Sequence, residues 1–308
     1  MAGVGMAAAL AKAELRRRAA RARKSRPKSR LKRKTLKQID RAMALLEGRG
    51  EVAPELTIHE TRKALKRTRA LVRLQRGSLG AKRCRRTNQA LRECGRRLAG
   101  ARDAEVVLDT LERLVRAHPK QLARSPGVEA LRVRLLAERV RAGGQTGHGT
   151  SARAEVLVQL HGVRADLTRW QPRRSDRAAA REGLHELYRQ GRKRARVARK
   201  ANSSEALHDW RKRVKDLRYA AEALGLERVA ERADALGETI GEEHDLWLLS
   251  RCVRRHRSCF AGDKPARKAL RRLIAKRRRA LRKKALRLGK ELYRRPPQRF
   301  VKRCLPSS

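Results

Sequence analysis

Leu207-His208-Asp209-Trp210-Arg211-Lys212-Arg213-Val214-Lys215-Asp216-Leu217-Arg218-Tyr219 decides how this chain is read, because the pattern occurs twice. The other copy is Ile58-His59-Glu60-Thr61-Arg62-Lys63-Ala64-Leu65-Lys66-Arg67-Thr68-Arg69-Ala70. A shift of 149 positions carries His59, Arg62, Lys63, Lys66 and Arg69 onto His208, Arg211, Lys212, Lys215 and Arg218. Ile58/Leu207, Glu60/Asp209 and Leu65/Val214 match in kind. A histidine kept in frame, in a chain with only eight, marks two halves of one duplicated unit.

On a helix each residue advances about 100°. Arg218, Arg211, Lys215, His208 and Lys212 then share an arc of about 120°, and Trp210, Val214, Leu217 and Ala221 fill the arc beside it. The first copy has the same design. Ile58, Leu65, Thr68 and Val72 make its apolar stripe, flanked by Arg69, Arg62, Arg73, Lys66, His59 and Lys63. Each helix buries one face and holds cations along its edge. In a chain this rich in arginine a basic helix face is commonly no more than a solvated one. Repetition of the same cation at the same turn, with histidine, separates this stripe from plain surface.

The composition asks for an anionic partner. Lys and Arg number 83 against 31 Asp and Glu, a formal charge of +52, and self-repulsion on that scale opposes compaction unless an anion offsets it. Nucleic acid, inorganic polyphosphate and an anionic membrane surface all qualify. Apolar residues make up 40%, enough for a core. Aromatic residues make up 3%, poor material for stacking bases. The five cysteines, Cys84, Cys94, Cys252, Cys259 and Cys304, include no CxxC pair and are expected as reduced thiols of a cytoplasmic protein. No apolar run approaches the ~20 residues needed to span a bilayer. Residues 1–10 are apolar but lack the positive start of a secretory signal.

Along the chain, residues 1–30 are expected to form a basic tail and residues 296–308 a C-terminal tail. Between them, helices are expected at 31–47, across the His59 copy, and at 81–98, 103–118, 128–141, 151–170, 176–200, 205–224, 227–240, 242–257 and 264–292. No alternating strand pattern occurs, so the fold class is all-α. The glycine-rich run 143–150 reads as a linker between a first half, 31–142, and a second, 151–295. A second matched block supports duplication: Leu98-Ala99-Gly100-Ala101-Arg102-Asp103 aligns with Ile240-Gly241-Glu242-Glu243-His244-Asp245 at a shift of 142. Asp103 and Asp245 suit helix N-termini as caps. Arg102, Arg192 and Arg196 are further candidates for the cationic surface.

The pattern His-x-x-Arg-Lys-x-x-Lys-x-x-Arg, once per half, resembles the CHAD family, the conserved histidine α-helical domain. The Leu98–Asp103 block resembles that family's Leu-Gly-x-x-Arg-Asp element, with Ala99 in place of glycine; His244 stands where the second copy would carry arginine. The resemblance covers roughly residues 31–295. It implies two four-helix bundles related by a pseudo-twofold axis around a central basic cavity, binding of inorganic polyphosphate, and association with polyphosphate granules. The positions that would inherit binding are His59, Arg62, Lys63, Lys66 and Arg69, with Arg73 beside them, and His208, Arg211, Lys212, Lys215 and Arg218.

Elementary chemistry agrees. Polyphosphate has charge and no bases, so guanidinium forks and mobile ammonium groups suffice to hold it. No Glu-x-Glu-x-Lys motif and no acidic cluster for Mg²⁺ is visible, so no turnover, metal or cofactor is expected. Cys252, His256 and Cys259 share a helical face but offer only three zinc ligands, and packed thiols are the expectation there. Sequence-independent binding of DNA or RNA stands as the alternative, since total charge does not distinguish the two.

Overall fold

A computed structural model describes residues 29–49, 52–98, 102–144 and 149–306. The basic segment 1–28, most of the glycine linker with His148, and the side chains of Arg102 and Asp103 lie outside what is described. Among the described residues there are thirteen α-helices and no strand, so the chain is all-α. In order they are α1 (Arg30–Leu46), α2 (Pro54–Leu74), α3 (Arg76–Leu79), α4 (Ala81–Arg97), α5 (Arg102–Ala117), α6 (Pro119–Leu122) and α7 (Pro126–Gly144). They continue as α8 (Gly149–Arg169), α9 (Asp176–Ala201), α10 (Ser204–Leu224), α11 (Glu227–Arg255), α12 (Lys264–Leu292) and α13 (Pro297–Cys304).

Local chemistry sets the ends of the helices that matter. Pro54 opens α2, where its missing N–H costs nothing. Ser175 and Ser203 cap α9 and α10, their hydroxyls accepting from the Ala178 and Ala206 amides at 3.3 and 3.1 Å. Asn202 (φ 44°) and Gly225 (φ 71°) close the same two helices in the left-handed conformation. Asp263 caps α12 by accepting from the Ala266 amide at 3.1 Å.

The expected apolar arc of α10 is buried: Trp210, Val214, Leu217 and Ala221 are each no more than 1% exposed. α2 is enclosed on more than one side. Leu65 and Val72 enter a core with α1, α4 and α8, while Leu74 enters another with α9 and α10. Thr61 and Thr68 are fully buried, and each hydroxyl donates to the carbonyl four residues back, at 2.8 and 2.9 Å. The end of α2 presses on α9 at Gly183, where a Cβ would collide with the Leu74 carbonyl.

Three expectations are corrected. The segments 227–240 and 242–257 form one continuous helix to Arg255, so Asp245 sits mid-helix and caps nothing. Gly241 does not break it; the missing side chain makes room for the Arg211 guanidinium, which a Cβ would meet at 2.7 Å. The segment 296–308 is more than a tail, because α13 inserts Phe300 and Val301 into the core, with Phe300 stacked on Tyr188 at 3.8 Å between ring centroids. The buried side chains also form three groups and do not divide at the linker. α8 packs with α1, α2 and α4, whereas α5 and α7 pack with the later part of α11 and the earlier part of α12. The cause is length. α11 and α12 have 29 residues each, about 44 Å, and overhang the α9–α10 core. Their overhang is apolar (Leu246, Leu249, Val253, Leu270, Ile274), and α5 and α7 cover it.

Candidate functional site

The two copies of the repeated helix pack directly on one another and run antiparallel. Arg67 of α2 lies 3.6 Å from Glu222 of α10, and Arg73, further along α2, lies 2.6 Å from Asp216, earlier on α10. The repeat shift of 149 carries the position of Arg73 onto Glu222 and that of Arg67 onto Asp216. Each ion pair is therefore the counterpart of the other, and the contact is self-complementary in the manner of a twofold interface. Tyr219 is buried between Arg67 and Arg218, whose guanidinium carbons lie 5.7 and 5.6 Å from its ring centre.

Beside this contact opens a cleft of about 530 Å³ walled by α2, α3, α4, α9 and α10. Seven arginines line it (Arg69, Arg73, Arg76, Arg85, Arg92, Arg96 and Arg213) against two glutamates, Glu93 and Glu186. Gln190 and Arg213 join it to a second cleft of about 530 Å³, lined also by Arg189, Lys193, Arg194, Lys212 and Asp209. Together they make a cationic track from α4 across α2 to α9 and α10.

Asp216 organises the middle of the track. Its buried carboxylate accepts from Arg73 at 2.6 Å and pairs with Arg213 at 3.1 Å, fixing two guanidiniums that keep further donors. Burial pulls Arg213 below the usual arginine range, with Asp216 opposing and Arg73 adding repulsion. Arg69 is more exposed to conflict. Burial first, then its neighbours Arg73, Arg213 and Arg92, lowers it to about 10, and its Nε is buried without a hydrogen-bond partner. Asp216 reaches Arg69 electrostatically but is already engaged by the other two arginines. An anion in this cleft would offset the charge that seven arginines hold there against two glutamates.

The sequence-derived residues do not all arrive here. Arg69, Arg73 and Lys212 line the track. Arg62 and Arg211 each hold a neighbouring helix through a backbone carbonyl, Leu98 at 3.2 Å and Gly237 at 3.1 Å. Lys63 pairs with Glu60 at 3.1 Å, and Lys215 with Glu238 at 3.1 Å, Lys215 being lowered by burial despite that partner. Arg218 bonds Glu222 at 2.8 Å and also Asp234. His59 is exposed and Lys66 half-buried. His208 differs from its counterpart. It is half-buried, stacked on His244 at 4.2 Å, and pushed down to about 4 by burial and then by His244, Lys212 and Arg211. Arg192 and Arg196 do not line the track, whose α9 wall is made by Arg189, Lys193 and Arg194.

Arg213 and Asp216 stand inside the second copy of the repeat, yet the cationic stripe passes over both. The α4 wall has a signal too: Arg85, Arg92 and Arg96, at i, i+7 and i+11, share one helix face. Among the described residues no group of three metal-competent side chains gathers, and no helix is long and apolar enough to cross a membrane.

Fold and site define an all-α protein with a duplicated, self-complementary helix pair and an arginine-lined track beside it. The chain belongs to the CHAD domain family, whose model matches residues 33–254, a family associated with polyphosphate and triphosphate binding in general. It is also 31% identical, over 204 residues, to two uncharacterized proteins of Mycobacterium tuberculosis, MT2285 and Rv2226. The match covers 61% of this chain and 38% of each relative, so the chain spans well under half their length.

Proposed function

We propose that the protein binds inorganic polyphosphate along this track, without turning it over, and thereby associates with polyphosphate granules. The observation that carries the reading is the lining of the cleft, seven arginines with the half-buried Arg69 among them against two glutamates. A narrow track with dense guanidinium lining suits a thin, flexible chain of phosphates, which presents oxygens on all sides and needs no stacking surface. Water is partly excluded from such a cleft, so each charge-assisted contact is stronger there than on an open face. Duplex DNA is the competing polyanion, and its stiffness is the difference: a rigid duplex meets the surface, whereas a single phosphate chain enters the cleft.

The test is competition at physiological salt between labelled long-chain polyphosphate and duplex DNA or RNA of equal total charge. Polyphosphate is expected to win, with affinity falling steeply as salt rises through counter-ion release. Displacement by DNA as effective as displacement by polyphosphate would favour sequence-independent nucleic-acid binding.

A further inference from the structure

Duplication taken alone would give two equivalent binding surfaces, one per copy. The residues around them say otherwise. Arg69 of α2 corresponds to Arg218 of α10, and Lys66 to Lys215. On α10 both cations are answered: Arg218 by Glu222 and Asp234, Lys215 by Glu238. Carried back to the first copy, the position of Glu222 is Arg73; at the shift of 142 that aligns Ile240 with Leu98, Asp234 becomes Arg92 and Glu238 becomes Arg96. Three carboxylates on one side stand where three guanidiniums stand on the other.

The alignment of α4 with α11 is supported by geometry as well as sequence. Gly95 falls on Gly237, and the matched arginines Arg62 and Arg211 bond backbone carbonyls of the two helices within a turn of equivalent positions, Leu98 and Gly237. The two helices therefore do the same packing work against their stripes while carrying opposite charge toward them. Glu93 pairs with Arg96 within α4, so Arg92 and Arg69 carry the uncompensated charge of the open side.

We infer that the two copies have diverged in function: the α4 side, with Arg92 as a specificity-determining residue, is the polyanion site, and the α11 side is closed by its own carboxylates. This rests on the polyphosphate reading for the ligand but not for the asymmetry. One molecule of the protein then takes one short polyanion, and the closed side contributes packing alone.

The experiment is calorimetric titration with polyphosphate of one short, defined length, repeated with duplex DNA. Wild type is expected to bind one equivalent. Arg92→Asp with Arg96→Glu, which gives α4 the charges that α11 carries at Asp234 and Glu238, should weaken binding about a hundredfold. Glu222→Gln with Asp234→Asn and Glu238→Gln, which uncovers Arg218 and Lys215 with little change of shape, should add a second equivalent. Circular dichroism checks that each variant folds, and Arg92→Gln serves if the double charge reversal does not. Two equal equivalents on wild type, or binding unchanged by the α4 variants, overturns the inference. If DNA binds and polyphosphate does not, the ligand reading fails, and the same variants still decide the asymmetry. If neither binds, both fail.

Discussion

At the scale of residues, a stripe of cations read from sequence is sorted by the fold into those that hold the protein together and those left for a partner. Arg62 and Arg211 are spent on helix carbonyls, Lys215 and Arg218 on carboxylates, while Arg69 is left among like charges. Burial lowers Arg69, whereas for Arg218 burial is outweighed by Glu222 and Asp234 and the net shift is upward. The histidines are sorted in the same way. His208 is held near 4, below its ordinary 6.5. The unfolded chain therefore binds the extra proton between those values, and stability falls as pH drops through that window. The thermal midpoint of His208→Gln should fall less than that of wild type on acidification across the window. An equal fall in both would show that His208 is not held neutral in the fold.

At the scale of elements, packing against glycine and a buried carboxylate hold the helices in register. Alanine at a helical glycine ordinarily stabilises by about 0.5–1 kcal/mol, but at Gly183 its Cβ would be driven into the Leu74 carbonyl. Gly183→Ala should instead cost about 1–3 kcal/mol, the range for overpacking, measured by urea unfolding; a neutral or stabilising result would mean that α2 and α9 are not in this contact. Glu243, 1% exposed, accepts from Arg278 and Arg282 (each 2.9 Å) and from Ser204 (3.2 Å), tying α10, α11 and α12 together. Glu243→Gln should cost about 3 kcal/mol, the low end for breaking a buried pair because both arginines are partly wet. Loss under about 0.5 kcal/mol would put the network's contribution at that of a surface pair.

The same elements show what a sequence discloses. The boundaries of α9, α10 and α12 are legible because Ser175, Ser203, Gly225 and Pro265 punctuate them, and the α10 core because its apolar arc keeps a helical period. The continuity of α11 is hidden, since Gly241 looks like a stop until Arg211 is seen to fill its space. The number of cations near the site is legible as well. Which of them remain available is not, because that depends on carboxylates such as Asp234 and Glu238, on a helix whose register against α10 only the fold reveals.

At the scale of the whole molecule, a formal charge of +52 ensures attraction to any polyanion, and the central claim is that binding is local to the track and does not follow net charge. Charge elsewhere in the chain, to which the sequence 1–28 contributes, bears on encounter and on the salt dependence of association. On the proposed function, the cleft sets how long the complex lasts. The most direct measurement compares two variants that lose the same charge, titrated with one defined polyphosphate at physiological salt. One is Arg69→Gln with Lys212→Gln, a residue from each of the joined clefts; the other is Arg16→Gln with Arg17→Gln, far from them in sequence. The track variant is predicted to lose about a hundredfold in affinity with its helicity intact, at roughly 1.5 kcal/mol per charge-assisted contact, and the other no more than about threefold. Equal losses in the two variants would contradict the account, because binding would then follow total charge and the track would be no site at all.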